Sequence, residues 1–173
     1  MGTDCKLIYQ GRALTLNEEC VTFPDGLQEV LEIVRHPGGA GALALDEEGR
    51  VCLIRQYRYA VDSWLWEIPA GRLEVDEEPQ LCAQRELGEE AGLQAGYWQS
   101  LATLLPSPGI CDERIYLFLA RDLSPLPTAH ETGEYIEIHW LPLPDALAKV
   151  CTGEIVDAKT MIALQYARLC TEE

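Results

Sequence analysis

The chain has 173 residues, of which 47% are hydrophobic, and carries a formal net charge of −16 at pH 7. This length and composition suit one compact domain with a small appendage and exclude a largely disordered chain. The negative charge argues against nonspecific binding to nucleic acid or anionic membranes, because both attract clustered Lys and Arg side chains. An anionic substrate would therefore need local arginines and bridging cations.

The cysteines and the lack of long apolar runs indicate the cellular compartment. The seven cysteines are scattered without a C-x-x-C pair, which predicts reduced thiols. No apolar stretch approaches the ~18 residues that span a bilayer, and the first residues lack the pattern of a secretion signal. We expect a cytoplasmic protein that does not bind membranes.

The first part of the chain is predicted to be a small antiparallel β appendage. Short strands are expected at residues 6–9, 13–16 and 29–35, separated by turn residues. A turn-forming run follows at His36-Pro37-Gly38-Gly39. We place a boundary there, with an appendage over residues 1–37 and a main domain over residues 38–173.

The main domain is predicted to mix strands and helices. Residues 41–45 and 51–57 are expected to form a hairpin around the turn at residues 46–49. Further strands are expected at 66–68, 97–105, 114–120 and 137–141, and helices at 144–151 and 157–169. This order favours an α/β class fold, a mixed, curled sheet between helices in an α/β/α sandwich.

One further helix is predicted over residues 79–91. Pro79 suits its first turn and Gly92 its C-terminal stop. Spacing places three carboxylates on one face and four apolar side chains toward a core: Glu86, Glu89 and Glu90, and Leu81, Ala83, Leu87 and Ala91. Clustered carboxylates supply oxygen ligands, which favour a hard cation, Mg2+ or Mn2+.

This helix lies within a stretch that carries a complete family motif. Residues 71–93 read GRLEVDEEPQLCAQRELGEEAGL, which fills every fixed position of G-x5-E-x7-R-E-U-x-E-E-x-G-U, where U is a bulky aliphatic residue. The stretch resembles the Nudix box. The resemblance implies a hydrolase that cleaves a diphosphate linked to another group, and a Nudix-type α/β/α sandwich.

The flanks of the box resemble the ADP-ribose pyrophosphatase branch of the Nudix family. They include the runs RQYRY at 55–59, WEIPAG at 66–71 and PSPG at 106–109, with Pro108 fifteen residues beyond Leu93. The likeness implies Mg2+-dependent hydrolysis of ADP-ribose to AMP and ribose 5-phosphate. It also implies a homodimer in which the amino-terminal strands cross between subunits.

The resemblance also implies roles for individual residues. Metal ions would be held by the carbonyl of Ala70 and by the carboxylates of Glu86, Glu90 and Glu89, which Arg85 would orient. The substrate would be contacted by Arg58 and Glu67, with further contacts expected from Arg55, Arg72 and Pro108. Arginine offers fixed donors to a diphosphate, although each of these arginines could instead pair with an acidic side chain.

A general base is expected on the acidic loop before the last strand. Related enzymes carry the base there, and the loop offers Glu131 and Glu134, of which Glu134 has the better spacing to the strand. Glu137 alternates with apolar residues and is expected to be a strand residue that faces solvent.

Two rival functions remain open at the level of sequence. One is a pyrophosphatase for another nucleoside diphosphate sugar such as GDP-mannose, with the same metals and mechanism. The other is a Nudix module that binds a nucleotide without cleaving it.

Overall fold

The computed structural model describes residues 5–130 and 133–171, and the chain divides into two compact units. The first unit contains the residues up to Gly38 together with Leu105–Arg114, and the second contains the remainder. The boundary predicted from sequence assigns residues 105–114 to the main domain. They group with the first unit because their backbone bonds to it, with Val34 N–H donating to Ile110 O at 2.8 Å.

The first unit is built on a three-stranded antiparallel sheet. Strands β1 (Cys5–Gln10), β2 (Thr15–Thr22) and β3 (Gln28–Arg35) lie in that order. The predicted antiparallel appendage is confirmed, although β2 begins and ends later than the predicted 13–16. Gly26, with a positive φ of 90°, forms the turn before β3.

In the described residues, the second unit is a seven-stranded mixed sheet with three α-helices. Its main path runs β10-β5-β4-β9-β8, while β6 pairs with β5 and β7 with β4. Strands β4 and β9 are parallel, and the other pairs are antiparallel. The elements are β4 (Gly39–Leu45), β5 (Arg50–Arg58), β6 (Ser63–Glu67), β7 (Ala70–Arg72), α1 (Pro79–Ala91), β8 (Leu93–Leu104), β9 (Ile115–Pro125), β10 (Ile136–Pro142), α2 (Leu143–Cys151) and α3 (Ala158–Thr171).

The predicted hairpin is present, but its two strands separate. Strands β4 and β5 pair only at Ala44 with Cys52 and at Leu45 with Val51. Beyond that point β5 pairs with β6 and β4 pairs with β7. The two residues between β6 and β7, Ile68 and Pro69, therefore connect strands that lie on either side of the separation.

Both faces of this sheet are covered by helices. On one face, α2 and α3 pack on side chains that include Leu43, Leu53, Leu117 and Leu119. On the other face, α1 packs on Ala42, Ala44, Cys52, Phe118 and Ala120. Neighbouring residues of β4 and β9 contribute to opposite cores, as alternation along a strand requires. The predicted α/β/α sandwich is confirmed.

Candidate active site

Helix α1 places the acidic residues of the box. It runs over Pro79–Ala91 with Pro in its first turn, and Gly92 ends it in the left-handed region at a φ of 64°. Both bounds agree with the sequence prediction. The side chain of Leu81 does not face the core, since it is 56% exposed. It lies two residues from Ala83, about 200° around the helix, and the adjacent Cys82 is buried instead.

Two carboxylates of α1 are buried beside the start of β7. Glu86 and Glu90 are 9% and 3% exposed, and the Ala70 N–H donates to Glu90 Oε2 at 2.8 Å. Burial raises the pKa of Glu90 to about 8, the hydrogen bond from Ala70 opposes this shift, and the charges of Glu86 and Glu134 add to it. The pKa of Glu90 is raised in spite of the hydrogen bond from Ala70, so negative charge on these carboxylates is only partly compensated by the protein.

Arg85 is held by the other acidic side chains of the box. Its Nε donates to Glu77 Oε1 at 3.0 Å, and its Nη1 donates to Glu86 Oε1 at 2.6 Å and to Glu89 Oε2 at 3.1 Å. The hydrogen bond from Arg85 lowers the pKa of Glu77. Burial raises the pKa of Glu86, although Arg85 opposes the shift. A side chain engaged by three carboxylates orients them rather than reaching outward.

A second charged cluster lies at the junction of β5, β6 and α3. Arg58 makes a two-pronged pair with Glu67, Nε to Oε1 and Nη2 to Oε2, both at 2.8 Å. Lys159 at the start of α3 donates to the same Glu67 Oε2. Glu67 is 1% exposed. Burial raises its pKa, but Arg58 and Lys159 outweigh burial and hold the pKa below its usual value.

The charges of the two clusters affect each other. The charge of Arg58 lowers the pKa of Glu90, and the charge of Glu90 raises that of Arg58. The side chain of Arg58 is 40% exposed, so it is accessible from solvent. A fixed guanidinium next to carboxylates is suited to a diphosphate that is bridged by cations.

The acidic loop approaches the same carboxylates. Glu134 is half-buried, and its charge raises the pKa of both Glu86 and Glu90. Glu131, the other candidate base, lies outside the described residues. Glu137 is exposed on β10, where it lies opposite Arg55.

The residues just before this loop contact the end of α1. These contacts were not predicted from the sequence. Ala129 N–H donates to Glu89 O at 2.9 Å, and His130 Nε2 lies 3.0 Å from Glu90 O. These contacts join residues forty positions apart, so no local pattern signals them.

Among the predicted substrate residues of the second unit, Arg55 is not brought into this cluster. Arg55 lies over the rings of Trp64 and Trp66 at 5.8 and 5.5 Å, with Glu137 at 4.0 Å. The side chain of Arg72 is exposed at the end of β7, but its carbonyl accepts from Arg85 Nη2 at 3.2 Å, so its backbone lies beside the box carboxylates. Pro108 is exposed and belongs to the first unit. The position of Arg55 follows from strand alternation, because residues three apart on β5 face opposite sides of the sheet.

The donor chemistry of the first cluster fits a divalent cation. Buried carboxylates that repel one another are compensated most directly by a hard cation with oxygen ligands. Among the described residues, no three His, Cys, Asp or Glu side chains already surround one point closely enough to hold an ion. Arg85 at 2.6 Å from Glu86 occupies part of that space, so ligation requires these side chains to turn.

Comparison with known proteins gives the family. The Nudix domain model matches residues 35–163. The chain therefore belongs to the Nudix family and is a Nudix hydrolase, a family whose members generally use divalent metal ions.

Its relatives include enzymes that are named for nucleotide sugars. It is 40% identical over 164 residues to an ADP-ribose pyrophosphatase of Bacillus subtilis (strain 168), covering 94% of this chain and 89% of the relative. It is 37% identical over 156 residues to a GDP-mannose pyrophosphatase of Cronobacter sakazakii (strain ATCC BAA-894), covering 80% and 81%.

A solved structure also shares the fold. The crystal structure of an ADP compounds hydrolase has a TM-score of 0.83 and 20% identity, covering 99% of this chain and 95% of that one. The prediction of a Nudix hydrolase related to ADP-ribose pyrophosphatases is confirmed. Within the described part of the chain, no helix is long and apolar enough to cross a membrane.

Proposed function

We propose that the protein hydrolyses the diphosphate of ADP-ribose to AMP and ribose 5-phosphate, with Mg2+ as the metal and Mn2+ as a substitute. The proposal rests on one observation, the fixed guanidinium of Arg58 in electrostatic contact with the buried Glu90. The relative that is 40% identical and named an ADP-ribose pyrophosphatase supports this choice of substrate.

The chain supplies ligands, orientation and a base. Glu86, Glu90 and Glu89, with the carbonyl of Ala70, are the groups that would hold the metal. When bound, the metal would neutralise diphosphate charge and make a water more acidic. Arg58 binds a diphosphate oxygen and so stabilises negative charge that grows during cleavage.

We assign the general base to Glu134. Its charge acts on Glu86 and Glu90, so its carboxylate can accept a proton from a water placed beside them. Arg85 binds three box carboxylates and is assigned to orienting them.

We also propose a homodimer that forms through the first unit. Several large apolar side chains of this unit are exposed in the single chain: Leu7, Ile8, Tyr9, Phe23, Leu27 and Val30. A small unit buries little of its own apolar surface, and a partner that covers these side chains would stabilise it. Light scattering of the purified protein tests this, and a monomeric mass contradicts it.

A second substrate is favoured by a specific comparison. Relatives named GDP-mannose pyrophosphatase match most of this chain. GDP-mannose carries the same diphosphate linkage, so Arg58 and the box carboxylates would act on it unchanged. Only contacts to the base and sugar would differ.

The deciding experiment compares Mg2+-dependent turnover of ADP-ribose, GDP-mannose and a nucleoside triphosphate, with each phosphorylated product measured separately. We expect a preference for ADP-ribose with AMP as product, and loss of turnover in Glu90→Gln with the fold retained. Preference for GDP-mannose replaces the substrate and keeps the chemistry. Equal turnover in Glu90→Gln, or no hydrolysis of any substrate, contradicts the proposal, and the latter favours a binding module.

A further inference from the structure

Glu67 is closed to direct contact with a substrate. Its side chain is 1% exposed, and both carboxylate oxygens are engaged, Oε1 by Arg58 Nε and Oε2 by Arg58 Nη2 and Lys159 Nζ. The resemblance implied that Glu67 touches the substrate. Among the described residues, the hydrogen-bond partners of the Glu67 carboxylate are two positively charged side chains, Arg58 and Lys159.

Lys159 is held as firmly as Glu67. Its side chain is 11% exposed, and its Nζ also donates to Asp157 Oδ1 at 3.0 Å. Asp157 in turn accepts from the N–H and Oγ1 of Thr160 at 3.0 and 2.6 Å. A buried lysine between two carboxylates is a fixed structural charge, because its usual side-chain freedom is removed.

The same group of residues is tied to the backbone that leads to the box. Thr160 Oγ1 accepts the N–H of Ile68 at 2.8 Å, and Ala70 N–H donates to Glu90. The beginning of α3 thus fixes the strand end that carries Glu67, three residues before the proposed metal ligand Ala70.

Among the described residues, Glu67 is the hydrogen-bond partner of Arg58, and one edge of the guanidinium is left unused. Its pair with Glu67 uses Nε and Nη2, and the side chain remains 40% exposed. The remaining nitrogen, Nη1, points away from the pair by the planar geometry of guanidinium. The direction in which it points is therefore set by the position of the Glu67 carboxylate.

We propose that Lys159 is a positioning residue for substrate binding: anchored by Asp157, it fixes Glu67, and Glu67 presents the free edge of Arg58 to the substrate diphosphate. This inference rests on the proposed function, because it takes Arg58 as the diphosphate contact. It gives Glu67 the role of a positioning residue and extends the site to α3, which approaches the substrate only through two other side chains.

The test measures binding with a ligand that is not consumed. The α,β-methylene analogue of ADP-ribose, whose phosphorus atoms are bridged by carbon, is titrated calorimetrically with Mg2+ into wild type and Lys159→Met. We expect the Kd to rise about tenfold, which corresponds to ~1.4 kcal/mol. In turnover of ADP-ribose the same variant should raise KM more than it lowers kcat.

Lys149→Met is the matched control. Lys149 also pairs with a glutamate, Glu154, at 2.5 Å, and it lies on α2. Its replacement should leave the Kd unchanged. Lys159→Gln removes the charge while keeping a donor, and it supplies a second neutral variant in case the Met variant does not fold.

A double-mutant cycle with Arg58→Gln separates positioning from a general loss of structure. If Lys159 acts through Arg58, Lys159→Met should add little to the Kd of Arg58→Gln. An unchanged Kd in folded Lys159 variants, or full additivity with Arg58→Gln, overturns the inference while Arg58 keeps its role. An unchanged Kd in Arg58→Gln alone removes the diphosphate contact and with it both proposals.

Discussion

The carboxylate of Glu86 occupies the space that a side chain at Gly71 would need. A Cβ atom at residue 71 would lie 1.8 Å from Glu86 Oε1, far inside van der Waals contact. The first glycine of the box therefore sets where the first of its buried carboxylates can lie.

Replacing this glycine should disable the site without unfolding the chain. In Gly71→Ala the new methyl group pushes Glu86 aside, and we expect kcat to fall at least about 100-fold, since small displacements of a reacting group have effects of this size. Gly88→Ala is the control, because its Cβ would be 3.6 Å from the nearest side chain. Wild-type kcat in Gly71→Ala would show that Glu86 tolerates displacement.

Removal of metal should make stability depend on pH through Glu90. Folding raises its pKa from 4.5 to about 8, so the folded chain binds the proton more tightly than the unfolded chain. The resulting stabilisation is full below pH 4.5 and is lost as pH rises to about 8. When a chelator is present, the Tm of wild type should fall relative to that of Glu90→Gln as the pH is raised from 4.5 to about 8.

Adding Mg2+ at the upper end of the window should reverse that loss. An ion that binds only the folded state raises Tm, and it should do so more in wild type than in Glu90→Gln. Parallel Tm curves for the two proteins, with and without Mg2+, would show that Glu90 neither carries the buried charge nor binds the ion.

Glu134→Gln tests the general base. Loss of a general base costs about 100-fold or more in kcat, and KM should change little because the amide has the same size. Glu137→Gln is the control, three residues along and exposed on β10. If Glu134→Gln retains wild-type kcat, the base lies elsewhere, and Glu131 becomes the next residue to replace.

Leu7→Glu tests the dimer. Leu7 is 54% exposed on β1, and a buried, unpaired charge at an interface is strongly unfavourable. The variant should have half the mass of wild type by light scattering. Leu169→Glu, at a leucine 59% exposed on α3, should leave the mass unchanged, and loss of the dimer there instead would move the interface to the second unit.

Much of this architecture could be predicted because its signals are local. The bounds of α1 follow from Pro79 and Gly92, and the fold class follows from the order of elements. The contact of Lys159 with Glu67 joins residues 92 positions apart, and no periodicity or cap signals it. Arg55 is different, since counting three residues from Arg58 along one strand would have placed it on the opposite face.

The separation of β4 from β5 has a consequence for how the enzyme loses activity. The two connecting residues and the first residue of β7 are each held by a different element: Ile68 by Thr160 of α3, Pro69 by Ala42 of β4 and Ala70 by Glu90 of α1. Opening either helical layer releases one end of this connection. Catalytic competence and the cooperative unfolding of the second unit should therefore disappear at the same denaturant concentration, with no range in which a folded but inactive protein accumulates.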